Sequence, residues 1–302
     1  MKAVVTGSSG FVGRELVAHL MAAGDEVVGL DRAAGADITD STALRDLLLQ
    51  HRPQAVYHLA AVSHIGGSWS APAQVFRVNA EGTLNVLLAA SHAGVERVLV
   101  VGSADEYGIV ADKDLPLGEE APLRPITPYG ASKVAAEFLG LQAFLGDGLP
   151  VIRVRSFNHT GPGQAENFLV PALARRIAVA EREGRKEAPV GSLEPVRDFL
   201  DVADVVAAYR LLVERGSPGE VYNVCSGIGR RVADIAAALL IMARHAIELV
   251  PDPTLVRPVD VPRLVGDNTR LRTATGWSPT IPFEDTLAAI LTRWREDIGD
   301  RR

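Results

Sequence analysis

Lys2-Ala3-Val4-Val5-Thr6-Gly7-Ser8-Ser9-Gly10-Phe11-Val12-Gly13 is the stretch that decides the fold. Its opening residues form a short apolar run of strand type, and Leu16, Val17 and Leu20 beyond it fall at helical spacing. Gly7, Gly10 and Gly13 lie between the two. Glycines at a strand-to-helix turn let the backbone approach a pyrophosphate, whose charge then meets the helix N-terminus. The spacing differs from the usual G-x-G-x-x-G, and such a turn alone is as often structural as ligand-binding. Asp31 changes that balance. It closes the next strand, about 20 residues on, where an acidic side chain bonds a ribose 2′-hydroxyl. A dinucleotide is therefore expected against Gly7, Gly10, Phe11, Val12, Gly13 and Asp31. Asp31 repels a 2′-phosphate and favours NAD(H). Arg32 follows directly and can bind that phosphate instead, which keeps NADP(H) as the alternative, or it is an ordinary solvated charge.

Outward from this turn, strands and helices alternate. Residues 26–30, 55–59, 97–102 and 150–155 read as strands, and residues 42–50, 72–93 and 128–144 as helices between them. The alternation predicts an α/β chain with a Rossmann-type, doubly wound parallel sheet, whose strand C-termini gather ligands along one edge. Beyond residue 157 the pattern is less regular. A Gly/Pro-rich loop is expected at 158–164, a helix with a charged face at 168–183, a solvated stretch at 181–187, a buried strand at 221–224, a loop at 257–262 and an amphipathic helix at 283–294. Residues 1–157 are read as the dinucleotide-binding domain and 158–302 as a smaller substrate-binding domain, with the segment around 198–228 returning to the first.

Composition limits the alternatives. The chain has 302 residues, 47% of them apolar, which is enough for a large core and too apolar for disorder. A formal net charge of −6 carries no nucleic-acid footprint. Cys225 is the single cysteine, so neither an intramolecular disulfide nor a cysteine-based metal site can form. It lies in the apolar run at 221–225 and reads as a buried, inert thiol. No charged leader precedes an apolar region at the N-terminus, and no apolar run reaches the roughly 18 residues of a membrane span. A soluble cytoplasmic protein without metal, membrane or nucleic-acid partner is expected.

The chemistry is carried by Tyr129-Gly130-Ala131-Ser132-Lys133. On a helix, Tyr129 and Lys133 share a face. An ammonium near a phenol favours the tyrosinate and lowers its pKa from about 10. Such a tyrosine can protonate the oxygen of a carbonyl that receives a hydride, and take the proton back in reverse. By itself the pair also fits an ordinary surface contact. Ser103, at the ligand edge of the 97–102 strand, is the candidate hydroxyl that orients the same carbonyl, or else a cap or turn residue.

Gly7-x-x-Gly10-x-x-Gly13, His58-Leu59-Ala60-Ala61, Ser103 and Tyr129-x-x-x-Lys133 together resemble the extended short-chain dehydrogenase/reductases over essentially the whole chain. These enzymes act mostly on nucleotide sugars, and dimers built from two helices of each subunit, here 72–93 and 128–144, are common among them. The resemblance implies that Asp37 and Ile38 line the adenine, that Leu59, Ala60 and Ala61 flank the cofactor, and that Asn79 supports the site. Residues 157–164, 196–202, 222–227 and 257–262 are similar to the GDP-mannose branch, and most of all to its 4-keto-6-deoxyhexose reductases. That likeness implies a GDP-linked sugar substrate reduced at C4. The substrate contacts it suggests are Ser63, Asp105, Asn158, Arg197, Arg257 and Asp260. Arg197 and Arg257 have the chemistry to clamp a diphosphate bidentately. The 4,6-dehydratases of the same branch are the nearest alternative. They need an acid/base, normally Glu, two residues before the Tyr of Tyr-Gly, and Asp105 stands there, one methylene shorter. Gly161-Pro162-Gly163-Gln164 replaces their arginine-containing loop. A 4-epimerase also remains compatible with the spacing. In a different class, a dinucleotide-binding sensor without turnover would tend to lack the Tyr or the Lys.

Overall fold

A computed structural model describes residues 1–63, 65–255 and 261–299. Six parallel strands form the central sheet: β1 (Lys2–Thr6), β2 (Glu26–Leu30), β3 (Ala55–His58), β4 (Arg97–Ser103), β5 (Val151–Ser156) and β9 (Val221–Val224). Their order is β2-β1-β3-β4-β5-β9. The chain turns from β2 back past β1 to β3, so the reversal of strand order lies between β1 and β3, where doubly wound sheets bind ligands. This is the expected α/β architecture.

Alternation along each strand feeds two cores. Ala3, Val5, Tyr57, Leu99 and Ile152 bury on one face with Leu16, Leu20, Val205 and Tyr209. Val4, Val56, Val98, Val100 and Val151 bury on the other with Leu44, Leu48, Val86 and Ala90. Neighbouring residues enter opposite layers, as the two-residue period of a strand demands.

The second lobe is built on β8 (Val196–Asp201). β6 (Asn158–Thr160) and β12 (Arg263–Leu264) pair with β8 in parallel, and β10 (Gly229–Arg231) pairs with it antiparallel. β7 (Glu187–Val190) and β11 (Glu248–Pro251) make a separate two-stranded ribbon. A further apolar core joins the Leu169–Glu183 and Phe283–Gly299 helices to this lobe through Leu173, Ile177, Ile235, Leu287 and Ile290. Asp198, wholly buried, ties the lobe to the end of the main sheet. Its carboxylate accepts from the Ser226 and Gly227 backbone at 2.7 and 2.9 Å, from the Ser226 hydroxyl at 2.6 Å and from the Gly266 amide at 3.3 Å.

The elements depart from the sequence reading in three places. The expected helix over 72–93 is interrupted. Pro72–Phe76 leads into a wide π turn over Arg77–Glu81 before Gly82–His92 resumes. Part of the expected 158–164 loop is strand, because Asn158–Thr160 lies beside Phe199–Asp201 in register. The last helix runs past Trp294 to Gly299, with Ile298 still packed in the second-lobe core. Among the described residues, no helix is long and apolar enough to cross a membrane, and no cluster of His, Cys, Asp and Glu is arranged to hold a metal ion. Cys225 is buried and unpaired with any other cysteine, and burial pushes its thiol pKa up.

Candidate active site

One cleft of about 1520 Å³ runs from the C-terminal edge of the sheet into the second lobe. Single drug-sized ligands fill some 300–1,000 Å³, so this volume suits two ligands side by side. Gly7, Gly10, Phe11, Val12, Gly13, Asp31, Arg32, Asp37, Ile38, Leu59, Ala60, Ala61 and Ser63 line the first half. Ser103, Asp105, Tyr129 and Lys133 lie at its middle, and Asn158 and Arg197 further along. Arg257 and Asp260 lie outside the described residues.

The glycine turn is closed on itself. Gly7 has φ +71°, and a Cβ there would stand 2.9 Å from the Ala60 backbone; at Gly13 it would stand 2.1 Å from the Gly7 carbonyl oxygen. Gly10, at the N-cap of the Phe11–Ala22 helix, brings no side-chain cap. The first-turn amides are thus left for an anion in the cleft. Asp31 sits where its strand ends, with its carboxylate accepting from Ser8 Oγ at 3.0 Å, and exposed Arg32 follows it. The backbone and hydroxyl of Thr39 hold the Asp37 carboxyl below its usual range, with Arg32 and Arg77 adding to the effect. An uncapped helix end, a tight glycine turn and a ribose-facing acid together fit a nicotinamide dinucleotide.

The wall beneath Ala60 is fixed by a neutral histidine. Thr83 donates its hydroxyl to the Asn79 carbonyl at 2.6 Å, so it must accept from His58 Nε2 at 2.9 Å. His58 Nδ1 is then the acceptor for Thr6 Oγ1 at 2.8 Å, and Thr6 Oγ1 in turn accepts from the Ala60 amide at 3.2 Å. Burial lowers His58 to about 3, so it stays neutral and holds this single tautomer. Asn79 does not line the cleft. Its side chain accepts from the Val62 amide at 2.8 Å and donates to the Val62 carbonyl at 3.1 Å and to Ser132 Oγ at 2.9 Å. It braces the site from behind.

Tyr129 and Lys133 stand on the Pro128–Asp147 helix, which Thr127 caps by accepting from the Gly130 amide at 2.9 Å. A Cβ at Gly130 would come within 2.7 Å of the Asp105 carbonyl oxygen, so glycine lets the helix close on the Ser103 loop. Ser103 Oγ donates to Asp105 at 3.2 Å and is hydrogen-bonded to the Tyr129 phenol. Serine, tyrosine, lysine and aspartate therefore meet at one spot.

Here the electrostatics differ from the sequence reading. Burial, and next the charge of Asp105, raise the Tyr129 pKa above its usual value. Lys133 is not among the groups that chiefly set it. Its Nζ donates to the Val101 carbonyl at 2.8 Å, and burial brings its own pKa down to about 8 against an opposing pull from Glu106. The tyrosine is a protonated acid awaiting an acceptor rather than a standing tyrosinate.

Several residues of the site carry no short-range signal in the sequence. Glu106 is wholly buried and accepts from the Ser103 amide at 2.7 Å. Arg155 lies 3.8 Å from its second oxygen and also forks onto Glu137, with bonds of 2.8 and 2.7 Å. Burial and the nearby Glu137 push the Glu106 carboxyl up. For Glu137 burial pushes up most strongly, but hydrogen bonds from Arg155 and Glu106 with the charges of Arg155 and Arg153 together hold it down. Only the juxtaposition Asp105-Glu106 beside Ser103 hints at this. His159, stacked on Phe11 with ring centroids 6.4 Å apart, and Tyr209 also line the cleft. Arg197 is nearly buried. It donates to the Val196 carbonyl at 2.9 Å, which fixes its guanidinium at the cleft wall.

Comparison with known proteins agrees with this geometry. Residues 3–225 match the NAD dependent epimerase/dehydratase family. A GDP-6-deoxy-D-mannose reductase of Pseudomonas aeruginosa is 38% identical over 298 residues, 98% of each chain. A GDP-6-deoxy-D-talose 4-dehydrogenase of Aggregatibacter actinomycetemcomitans is 31% identical, covering 91% of this chain and 92% of that one. The structure of RMD from Pseudomonas aeruginosa complexed with NADPH superposes with a TM-score of 0.91, at 38% identity over 98% of this chain and 99% of that one. With the family's pattern matched from the first strand through β9 and relatives of 38% and 31% identity spanning nine-tenths or more of each chain, the chain belongs to the NAD dependent epimerase/dehydratase family.

Proposed function

We propose that this protein reduces the C4 keto group of a GDP-linked 4-keto-6-deoxyhexose with NAD(P)H, taking GDP-4-dehydro-6-deoxy-D-mannose to GDP-D-rhamnose. The observation that carries the proposal is the meeting of Ser103, Tyr129 and Lys133 midway along a cleft whose first half fits a dinucleotide. The 38% identical reductase supports the substrate. A reduced nicotinamide dinucleotide, when bound, supplies a hydride. Gly7, Gly10 and the first-turn amides hold its pyrophosphate, and Asp31 takes a ribose hydroxyl with Arg32 beside it for a 2′-phosphate. Ser103 Oγ orients the substrate carbonyl and Tyr129 gives its phenolic proton to O4. The Lys133 ammonium then stabilises the tyrosinate left behind. Ser63, Asp105 and Asn158 contact the sugar, and Arg197 a phosphate of the diphosphate. Arg257 and Asp260 complete the nucleotide site in this reading.

The test is direct. The protein is incubated with GDP-4-keto-6-deoxymannose and either NADH or NADPH, nicotinamide oxidation is followed, and the product is identified by NMR. Oxidation with formation of GDP-D-rhamnose is expected. No oxidation with either cofactor, together with loss of water from GDP-mannose, would establish a dehydratase instead. Asp105 beside Tyr129 is the observation that keeps that second reading in view.

We also propose a homodimer. Leu88 on the Gly82–His92 helix is 46% exposed, and Phe138 and Leu145 on the Pro128–Asp147 helix are 53% and 72% exposed. Large apolar side chains on adjacent helices favour a mate that covers them. Phe138→Glu should sediment as a monomer where the parent sediments as a dimer; a parent that is already monomeric would refute this assembly. A cytoplasmic location belongs to the same reading, supported by the free buried thiol of Cys225.

A further inference from the structure

One face of the Leu169–Glu183 helix also lines the cleft. Leu169, Ala172, Leu173 and Arg176 recur at i, i+3, i+4 and i+7, and all four line the cleft. Three are apolar, and the fourth sets a cation at the end of the stripe. Arg176 is half-buried, and among the described residues its guanidinium makes no hydrogen bond; its nearest charges are Asp252 and Arg175. Its neighbour Arg175 is engaged elsewhere, paired with Glu166 at 2.5 Å and lying over the Trp294 ring. Val190 and Leu255 wall this end of the cleft. They are held close together: the Asp252 amide donates to the Val190 carbonyl at 2.7 Å, and a Cβ on Gly191 would stand 2.7 Å from the Leu255 carbonyl oxygen. The result is a slot with apolar walls and one planar cation whose donors are unfilled.

We propose that Arg176 reads the base of the substrate nucleotide, donating two parallel N–H bonds to the O6 and N7 acceptors along one edge of a guanine. The warrant is geometric and chemical. An arginine fork matches two adjacent acceptors, and guanine alone among the common bases offers O6 and N7 side by side. Adenine turns a donor, its 6-amino group, toward the fork, and the pyrimidines have no N7. Apolar walls suit the faces of a flat ring. In the reductase reading the order is sugar at Ser103 and Tyr129, phosphate at Arg197 and base at Arg176, all of which line the one cleft. The inference rests on the reductase reading for that order.

Binding titrations with the full-length chain test the idea without turnover. GDP, 7-deaza-GDP, ADP and UDP are titrated calorimetrically into the parent protein, Arg176→Ala and Arg176→Lys. NADPH affinity and the thermal midpoint serve as checks that each variant is folded. The parent should prefer GDP over ADP and UDP by about 10- to 100-fold, the range of one good bidentate arginine–guanine contact. It should also bind 7-deaza-GDP more weakly than GDP. In Arg176→Ala both differences should collapse toward unity with NADPH affinity retained. Arg176→Lys should recover little of the preference, because an ammonium is a point charge rather than a fork. The proposal is overturned if Arg176→Ala keeps the 7-deaza difference, or if it weakens all four nucleotides by the same factor, which would assign the arginine to phosphate. Failure of the reductase reading would show separately, as absent nicotinamide oxidation with the keto sugar.

Discussion

Tyr129→Phe is expected to lower kcat for ketone reduction by roughly 10²–10⁴-fold, the usual contribution of a positioned general acid, while the variant folds and binds cofactor. The ring is 8% exposed and packed in place, so phenylalanine keeps the volume and removes only the proton donor. Steady-state kinetics beside a cofactor titration check this, and near-parental turnover would move the proton to another group, with Asp105 the nearest acid. The pH profile supplies a second handle. Reduction needs the protonated phenol, so activity falls as the pH rises through the Tyr129 pKa. Burial and the Asp105 charge both raise that value. Asp105→Asn removes the second of these, so the alkaline limb of kcat/KM should move to lower pH. A limb that moves upward would separate Asp105 from the tyrosine.

The parts of this site that were legible in the sequence are those written in short windows. Gly7 to Gly13 and Asp31 are a turn and a strand end on consecutive elements, and Tyr129 and Lys133 are one helical turn apart. Local periodicity and turn chemistry suffice for both. The sheet was legible for the same reason, since buried parallel strands read as continuous apolar runs. What was not legible depends on distant segments meeting. Asn158–Thr160 becomes strand only because Phe199–Asp201 lies beside it. The π turn at Arg77–Glu81 breaks an apolar stripe that reads as one helix. The sign of the Tyr129 shift was missed because spacing along one helix reveals Lys133 but not Asp105, which a different loop delivers, nor the Val101 carbonyl that takes the ammonium's hydrogen bond. Arg176 has a plain charged-face reading in the sequence, and only the path of the cleft makes it a candidate for recognition.

The largest effect on stability should come from behind the site. Arg155 is 5% exposed and donates to Glu137 twice, to the Glu119 carbonyl at 2.7 Å and to the Tyr107 hydroxyl at 3.0 Å. Arg153 reaches Glu137 only once, at 3.2 Å. Arg155→Leu therefore leaves the buried Glu137 carboxylate with Arg153 as its one remaining cationic hydrogen-bond donor and takes the Arg155 charge away from Glu106. Removing one member of a buried ion pair costs about 3–5 kcal/mol, which chemical denaturation would read as a lower midpoint at neutral pH. The pH dependence identifies the cause. In the parent, Glu137 is held below its unfolded value, so it contributes stability above the ordinary carboxylate range and loses it as pH falls through its folded pKa. The variant has little of that contribution to lose. Its deficit should be greatest near neutrality and should shrink on acidification, whereas a deficit constant with pH would mean that lost packing alone is responsible. Because Glu106 also accepts from the Ser103 amide, the same variant should reduce kcat, linking the buried network to the placement of the carbonyl-orienting hydroxyl.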